Sequence, residues 1–168
     1  MLLLSSFLSF WQLSSVDIEA SEDIYVADAV GYLRHDPFMV PRHHLRKPHY
    51  PASPHPFLVP FLTTEVFEVF GISIFTARFV QSFSVVLTTG VVMLLAFSLS
   101  RMVFTAVLSG LLFTTSPLVI RFGRMAVLDP VLMLVYAMLI LWSWRMVKKR
   151  GVEGYIFAGL VGLSLGLA

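Results

Sequence analysis

The chain has 168 residues, of which 57% are apolar and only 13% are charged, about half the charged share of soluble domains. This composition excludes an ordinary soluble domain and predicts a protein that spans a membrane. The formal net charge of +2 comes from cations divided between loops, which does not favour a nucleic-acid partner. The absence of cysteine excludes a disulfide framework and a thiolate nucleophile or metal ligand.

The beginning of the chain changes from apolar to polar. Residues 1–16 are uncharged but too short and too rich in serine for a full span, so they predict part of a first transmembrane helix. Residues 17–71 predict an extracytoplasmic loop. Within it, apolar residues recur at three- and four-residue steps from Ser21 to Arg34, which predicts a short amphipathic helix on the membrane surface, with Ser21 or Asp23 near its start.

The second half of this loop is rich in proline and then becomes apolar. Six prolines between Pro37 and Pro56 argue against regular structure. The run from Pro56 to Phe70 carries Glu65 and Glu68 and therefore predicts a second interfacial helix, whose glutamates face the headgroups, rather than a span.

Residues 72–168 contain the apolar runs expected to cross the bilayer. Four transmembrane helices are predicted, at about 77–100, 102–120, 126–146 and 153–168. The fold class is therefore all-α: a polytopic transmembrane helical bundle with interfacial amphipathic helices in its first external loop. The last run stops without a terminating signal, so the chain is expected to be an N-terminal portion, a truncated gene product or a non-catalytic subunit.

Orientation follows from the distribution of cations. Lys148, Lys149 and Arg150 form the densest short basic loop, which the positive-inside rule places in the cytoplasm. Counting spans backward puts Arg101 on the same side, and Arg121, Arg124 and Asp129 outside with the loop at 17–71. The chain is thus predicted to be a multi-pass plasma-membrane protein whose two polar loops meet on the extracytoplasmic face.

These two loops carry the residues that could perform chemistry. The first has an acidic cluster from Asp17 to Asp23, and the second has Arg121 and Arg124 followed by Asp129. Transfer from a lipid-linked phosphate needs a carboxylate to accept a proton and cations to stabilise the leaving phosphate. The simpler interpretation is that these loop charges are only solvated, but Asp129 lies in an apolar run, where an unpaired carboxylate is costly.

Other polar residues are given structural interpretations. Arg78 lies near the outer end of its helix, where an arginine commonly extends its charge to the interface. The histidines of the first loop lack the i, i+4 spacing of a compact zinc site, so no metal or other cofactor is indicated.

The order of several local patterns resembles the GT-C glycosyltransferases that use lipid-phosphate sugars, especially the protein O-mannosyltransferase and aminoarabinose-transferase group. An acidic pair before an aromatic residue opens the amphipathic helix in Glu22-Asp23-Ile24-Tyr25. A His-Pro step leads to an apolar helix ending in Phe-Gly and followed by an arginine, as in His55-Pro56, Phe70-Gly71 and Arg78. The second loop reads Arg124-Met125-Ala126-Val127-Leu128-Asp129-Pro130, and a Gly-Leu-rich helix follows at Gly159 to Gly166.

The resemblance implies inverting transfer of a sugar from a polyprenyl or dolichyl phosphate to a hydroxyl of a protein, lipid or glycan on the extracytoplasmic face. It implies that Arg121 and Arg124, with His55, bind the carrier phosphate, and that Asp129 orients a cation or the acceptor. If Tyr25 is the anchor, the leading Asp of the family falls on Ser21. The first-loop base is then Glu22, Asp23 or absent.

Two other classes of protein fit the hydropathy. A small transporter or channel subunit would use Asp129 as a coupling or conducting residue, but it would also line several spans with polar residues. The predicted spans hold little beyond serine and threonine at mid-membrane. A purely structural membrane subunit would tolerate the loss of every loop carboxylate.

Overall fold

The computed structural model of the protein describes residues 1–34, 58–148 and 152–167. Every regular element in these ranges is an α-helix, which confirms the all-α fold class. In chain order the helices are α1 (Leu2–Phe10), α2 (Ala20–Leu33), α3 (Leu58–Phe70), α4 (Ile74–Ser100), α5 (Val103–Thr114), α6 (Pro117–Gly123), α7 (Asp129–Lys148) and α8 (Val152–Leu167).

Helix α4 is the centre of the bundle and contacts α1, α3, α5, α6 and α7. Its start is fixed by Ser73, whose Oγ accepts a hydrogen bond from the Thr76 N–H (3.1 Å), while the Thr76 hydroxyl accepts from the Ser73 N–H (2.9 Å). Its end is the left-handed residue Arg101, at φ 58°. The helix thus ends just before Arg101 and begins three residues earlier than the sequence predicts.

Two of the described helices, α4 and α7, are long and apolar enough to cross a membrane. A third span is obtained if α5 and α6 are taken together, but these helices are bent by 61° at the break between them. The continuous helix predicted at 102–120 is thus divided. Pro117 explains the break, because the proline ring is tolerated in the first turn of a helix but not in a helix interior.

The two predicted surface helices are present. Helix α2 covers Ala20–Leu33, within one residue of the expected bounds, and α3 covers Leu58–Phe70. They pack through a cluster in which Ala29 and Phe67 are buried against Ala77 of α4. Glu65 and Glu68 are exposed, as the sequence predicts.

Small and hydroxyl-bearing side chains join α1, α4, α5 and α6. The Ser5 and Thr89 hydroxyls lie 3.0 Å apart, and Thr89 and Thr114 lie 3.2 Å apart. The Ser82 hydroxyl lies within hydrogen-bond distance of two carbonyls, those of Ser9 (3.3 Å) and Gly123 (3.1 Å). Since these groups are buried, their mutual hydrogen bonds offset the cost of removing them from solvent.

The contact between α4 and α6 gives the first testable prediction. A Cβ added at Gly123 would lie 2.6 Å from Val85 Cγ2, and a β-branched side chain has little freedom to turn away. We expect Gly123→Ala to lower the free energy of unfolding by about 1–3 kcal/mol. The measurement is thermal unfolding followed by circular dichroism in a fixed detergent.

Gly90→Ala is the matched control, because a Cβ there meets only Leu2 Cδ2 at an ordinary 3.7 Å. It should leave stability unchanged or raise it by up to about 1 kcal/mol, since alanine favours a helix interior over glycine. Equal effects of the two substitutions would show that α6 does not pack closely on α4.

Candidate functional site

A buried ion pair joins the first polar loop to the central helix. The Glu22 side chain is 0% exposed and Arg78 is 4% exposed. Arg78 Nε donates to Glu22 Oε1 at 2.8 Å, and Nη2 donates to Oε2 at 2.7 Å. This is the bidentate geometry in which arginine binds a carboxylate most strongly.

The remaining hydrogen-bonding capacity of both side chains is also used. Glu22 Oε1 accepts from the Ala126 N–H (2.6 Å), and Oε2 accepts from the Glu19 N–H at the start of α2 (2.9 Å). The other three N–H groups of Arg78 point to backbone carbonyls between α1 and α2: those of Leu13 (2.9 Å), Val16 (2.9 Å) and Asp17 (3.0 Å). All five donors of the guanidinium are therefore satisfied.

These contacts confirm that the two polar loops meet, because Glu22 belongs to the first loop and Ala126 to the second. They also determine the charge of Glu22. Burial opposes its ionised form, but the hydrogen bonds from Arg78, Ala126 and Glu19, together with the Arg78 charge, outweigh burial and lower the pKa of Glu22 below its ordinary 4.5. Glu22 is thus a buried carboxylate held ionised.

A cavity beside this ion pair is lined by three arginines. It has a volume of about 180 Å³, and its polar rim consists of Arg78, Arg121, Arg124 and Gln12. Arg124 Nη2 donates to the carbonyls of Trp11 (2.7 Å) and Gln12 (3.1 Å), while Arg121 is exposed. Glu22 neutralises the charge of Arg78. Arg121 and Arg124 therefore give the cavity a net positive charge, and we call it the arginine cavity.

Asp129 lies in a different cavity. That space of about 360 Å³ is mostly apolar, and Tyr136 and Phe122 are among its lining residues. Asp129 is exposed and begins α7, where the positive end of the helix dipole favours a carboxylate. Its charge nevertheless acts on a residue of the first loop. The pKa of Tyr25 is raised by burial and then by the charges of Asp129 and Asp28.

The predicted site residues therefore separate into three groups. Arg121 and Arg124 share one cavity, Glu22 is enclosed beside it, and Asp129 borders another. Asp23 is exposed on α2, and His55 lies outside the described residues, as do the other loop histidines. Within residues 1–34, 58–148 and 152–167, no three His, Asp or Glu side chains converge.

The interpretation of Arg78 as an arginine that extends to the interface is wrong. Its side chain turns inward because Glu22 and three carbonyls provide a complete set of acceptors inside the bundle. Sequence reasoning also missed two buried polar side chains. Asp28 Oδ2 and both amide atoms of Gln81 are buried without a partner among the described residues. Gln81 could have been noticed as an amide in an apolar run.

Helices of membrane-spanning length, with a cationic cavity beside a buried loop carboxylate, define the class of the chain as an all-α membrane protein. The chain matches the family described as "Dolichyl-phosphate-mannose-protein mannosyltransferase" over residues 1–168. It belongs to that family of GT-C membrane glycosyltransferases, as the resemblance in the sequence indicated.

One curated relative is the "Undecaprenyl phosphate-alpha-4-amino-4-deoxy-L-arabinose arabinosyl transferase" of Enterobacter sp. (strain 638). It is 43% identical over 96 residues, which cover 55% of this chain and 17% of that protein. The match thus extends over about one sixth of the relative's length. No solved structure matches the chain.

The ion pair gives the second prediction. Glu22→Gln leaves the buried Arg78 charge unpaired, which should lower the free energy of unfolding by about 3–5 kcal/mol. It should also change the acid dependence of stability. Because folding lowers the pKa of Glu22, its contribution is complete above about 4.5 and disappears as the pH falls through the lower folded value.

Thermal unfolding at a series of pH values tests this prediction, with Glu19→Gln as the control. The Glu19 side chain is exposed, and glutamine keeps both the backbone N–H that donates to the Glu22 carboxylate and a side-chain oxygen for the capping box of α2. The wild type and Glu19→Gln should lose stability below pH 4.5, and Glu22→Gln should lose less. A Glu22→Gln chain as stable as the wild type at pH 7 would contradict a structural role for the pair.

Proposed function

We propose that this chain forms the donor-phosphate side of a glycosyltransferase that moves a sugar from a polyprenyl or dolichyl phosphate to an acceptor hydroxyl. The transfer takes place on the extracytoplasmic face of the membrane. The observation that carries the proposal is the arginine cavity, where Arg121 and Arg124 provide two cations beside a third that Glu22 neutralises.

The cavity suits the carrier phosphate. When the bond from the sugar to the phosphate oxygen breaks, its electrons remain on the phosphate, and nearby cations stabilise that added charge. Arg121 is exposed and makes no ion pair with another described residue, so its guanidinium is available to an incoming anion. The membrane-length helices that start or end near the site would place a long prenyl chain alongside apolar surface.

The reaction also needs a base to accept the proton of the attacking hydroxyl. Of the three candidate acids, Glu22 is the least suited, because each of its oxygens already accepts two hydrogen bonds. Asp23 is the next residue on α2 and is exposed. We therefore assign the base to Asp23, the positioning of α2 to Glu22, and the orientation of the acceptor to Asp129 with Tyr25.

The hydroxyls of α4 do not favour the transporter alternative. Three of the buried hydroxyls of α4 donate to carbonyls of their own helix: Ser84 to Val80 (2.8 Å), Thr88 to Ser84 (2.7 Å) and Thr89 to Val85 (2.9 Å). Hydroxyls satisfied in this way give an ion or solute few free ligands. The charged residue of α4, Arg78, lies near its N-terminus, and Arg101 follows its C-terminus.

The third prediction concerns phosphate binding. The chain in detergent should bind undecaprenyl phosphate more tightly than undecaprenol, and the double substitution Arg121→Gln, Arg124→Gln should weaken phosphate binding by about a hundredfold, taking about tenfold for each charged contact. Binding is measured by titration with the lipid. The neutral alcohol should bind the variant and the wild type equally.

Arg34→Gln is the matched control, because Arg34 is an exposed cation of the first loop that lies outside the cavity. It should leave both affinities unchanged. Equal affinity of the wild type for the phosphate and the alcohol would contradict the phosphate site.

The fourth prediction separates the base from its neighbour. In membranes that contain the chain, Asp23→Asn should lower sugar transfer from a labelled polyprenyl-phosphate sugar by about a hundredfold or more, with unchanged thermal stability. Asp129→Asn should raise KM for the acceptor. Glu22→Gln should lower transfer and stability together.

Unchanged turnover in all three variants would remove the catalytic assignment. Loss of turnover in Asp23→Asn together with a lower unfolding temperature would make Asp23 a structural residue instead. Because Asp23 is exposed, its replacement by the isosteric amide is expected to leave the fold intact.

A further inference from the structure

A second cationic cavity lies at the other end of the bundle. It has a volume of about 440 Å³, lies between the ends of α4 and α7, and is lined by Ser98, Arg101, Trp144, Arg145 and Lys148. Helices α4 and α7 both begin near the arginine cavity and end here. The 27 residues of α4 correspond to about 40 Å of helix, so a bilayer that α4 crosses has the two cavities on opposite sides.

The charges of this cavity favour an anion. Three cations line it, and none of its described lining residues is acidic. Each helix C-terminus contributes about half a negative charge, so the C-termini of α4 and α7 together offset only about one of the three positive charges. Glu153, at the start of α8, could offset at most one more. A net positive charge therefore remains.

The surroundings indicate that the anion is carried by a lipid. Leu99 is 55% exposed and Val147 is 77% exposed, so apolar surface borders the cations on both helices. Lys148 Nζ lies 4.3 Å from the centre of the Trp144 ring, and tryptophan is enriched where acyl chains meet headgroups. A soluble anion would use the cations but not the apolar border, whereas a phospholipid uses both.

We propose that this cavity binds the phosphate of an anionic phospholipid in the leaflet opposite the arginine cavity. Arg101 and Arg145 hold the phosphate, Lys148 stacked on Trp144 closes one side, and the acyl chains lie along Leu99 and Val147. The lipid would join the ends of α4 and α7 from outside. This inference does not depend on the proposed transfer reaction.

Native mass spectrometry of the full chain tests it. The chain is released from detergent in the presence of phosphatidylglycerol or phosphatidylcholine with the same acyl chains. We expect the wild type to retain phosphatidylglycerol preferentially. The double substitution Arg101→Gln, Arg145→Gln should weaken that binding by about 25-fold, taking about fivefold for each cation near an anionic headgroup.

Two matched variants complete the experiment. Arg101→Lys, Arg145→Lys keeps the charges and should retain most of the preference, while Arg34→Gln removes an exposed cation that lines neither cavity and should leave the preference unchanged. Circular dichroism verifies that the helix content of each variant equals that of the wild type. These results together would support a lipid site at this cavity.

Three outcomes would overturn the proposal. The first is equal retention of the two lipids by the wild type. The second is retention of the full preference by Arg101→Gln, Arg145→Gln. The third is displacement of phosphatidylglycerol by millimolar inorganic phosphate, because a site that prefers the free anion is not built for a lipid.

Discussion

Glu22 and Arg78 are 56 residues apart in the chain and meet where solvent does not reach. Removing two charges from water costs several kcal/mol for each ion, and a simple pair seldom recovers that cost. Here the recovery is unusually complete, because four hydrogen bonds reach the carboxylate and all five guanidinium donors find acceptors. The pair acts through the backbone groups that it holds as much as through its own attraction.

Those backbone groups determine the shape of the site. The carbonyls of Leu13 and Val16 fix the segment after α1, the Glu19 N–H fixes the start of α2, and the Ala126 N–H fixes the loop before α7. The arginine cavity lies between the segment after α1 and the loop before α7. Glu22 neutralises the third arginine of this cavity, Arg78, which would otherwise add repulsion between like charges.

Much of the fold is accessible from the sequence, because hydropathy and helical spacing are local properties. They predict α2, α4 and α7 to within a few residues, as well as the stop at Arg101. They also place the polar loops together through the orientation argument. The break between α5 and α6 was not predicted, because the apolar run at 102–120 is continuous. Pro117 nevertheless marks the place where a new helix starts.

The candidate site was less accessible, because pairing and burial depend on contacts between distant segments. Glu22 and Asp23 are adjacent acids that the sequence cannot separate, yet one is enclosed and the other is exposed. Which of them faces inward depends on the rotation of α2, which is set by Ala29 against Phe67 and Ala77. Asp28 lies on the buried side of the same helix and was missed for the same reason.

The two ends of α4 show why the same residue type has different surroundings in one membrane helix. Arg78 lies about one turn from the N-terminus of α4, where the positive end of the helix dipole disfavours a cation, and a buried carboxylate compensates it. Arg101 lies at the C-terminus, where the dipole already favours a cation and no internal counter-ion is needed. The arginine near the start of the helix is therefore a structural contact within the bundle, while the arginine that follows its end is exposed.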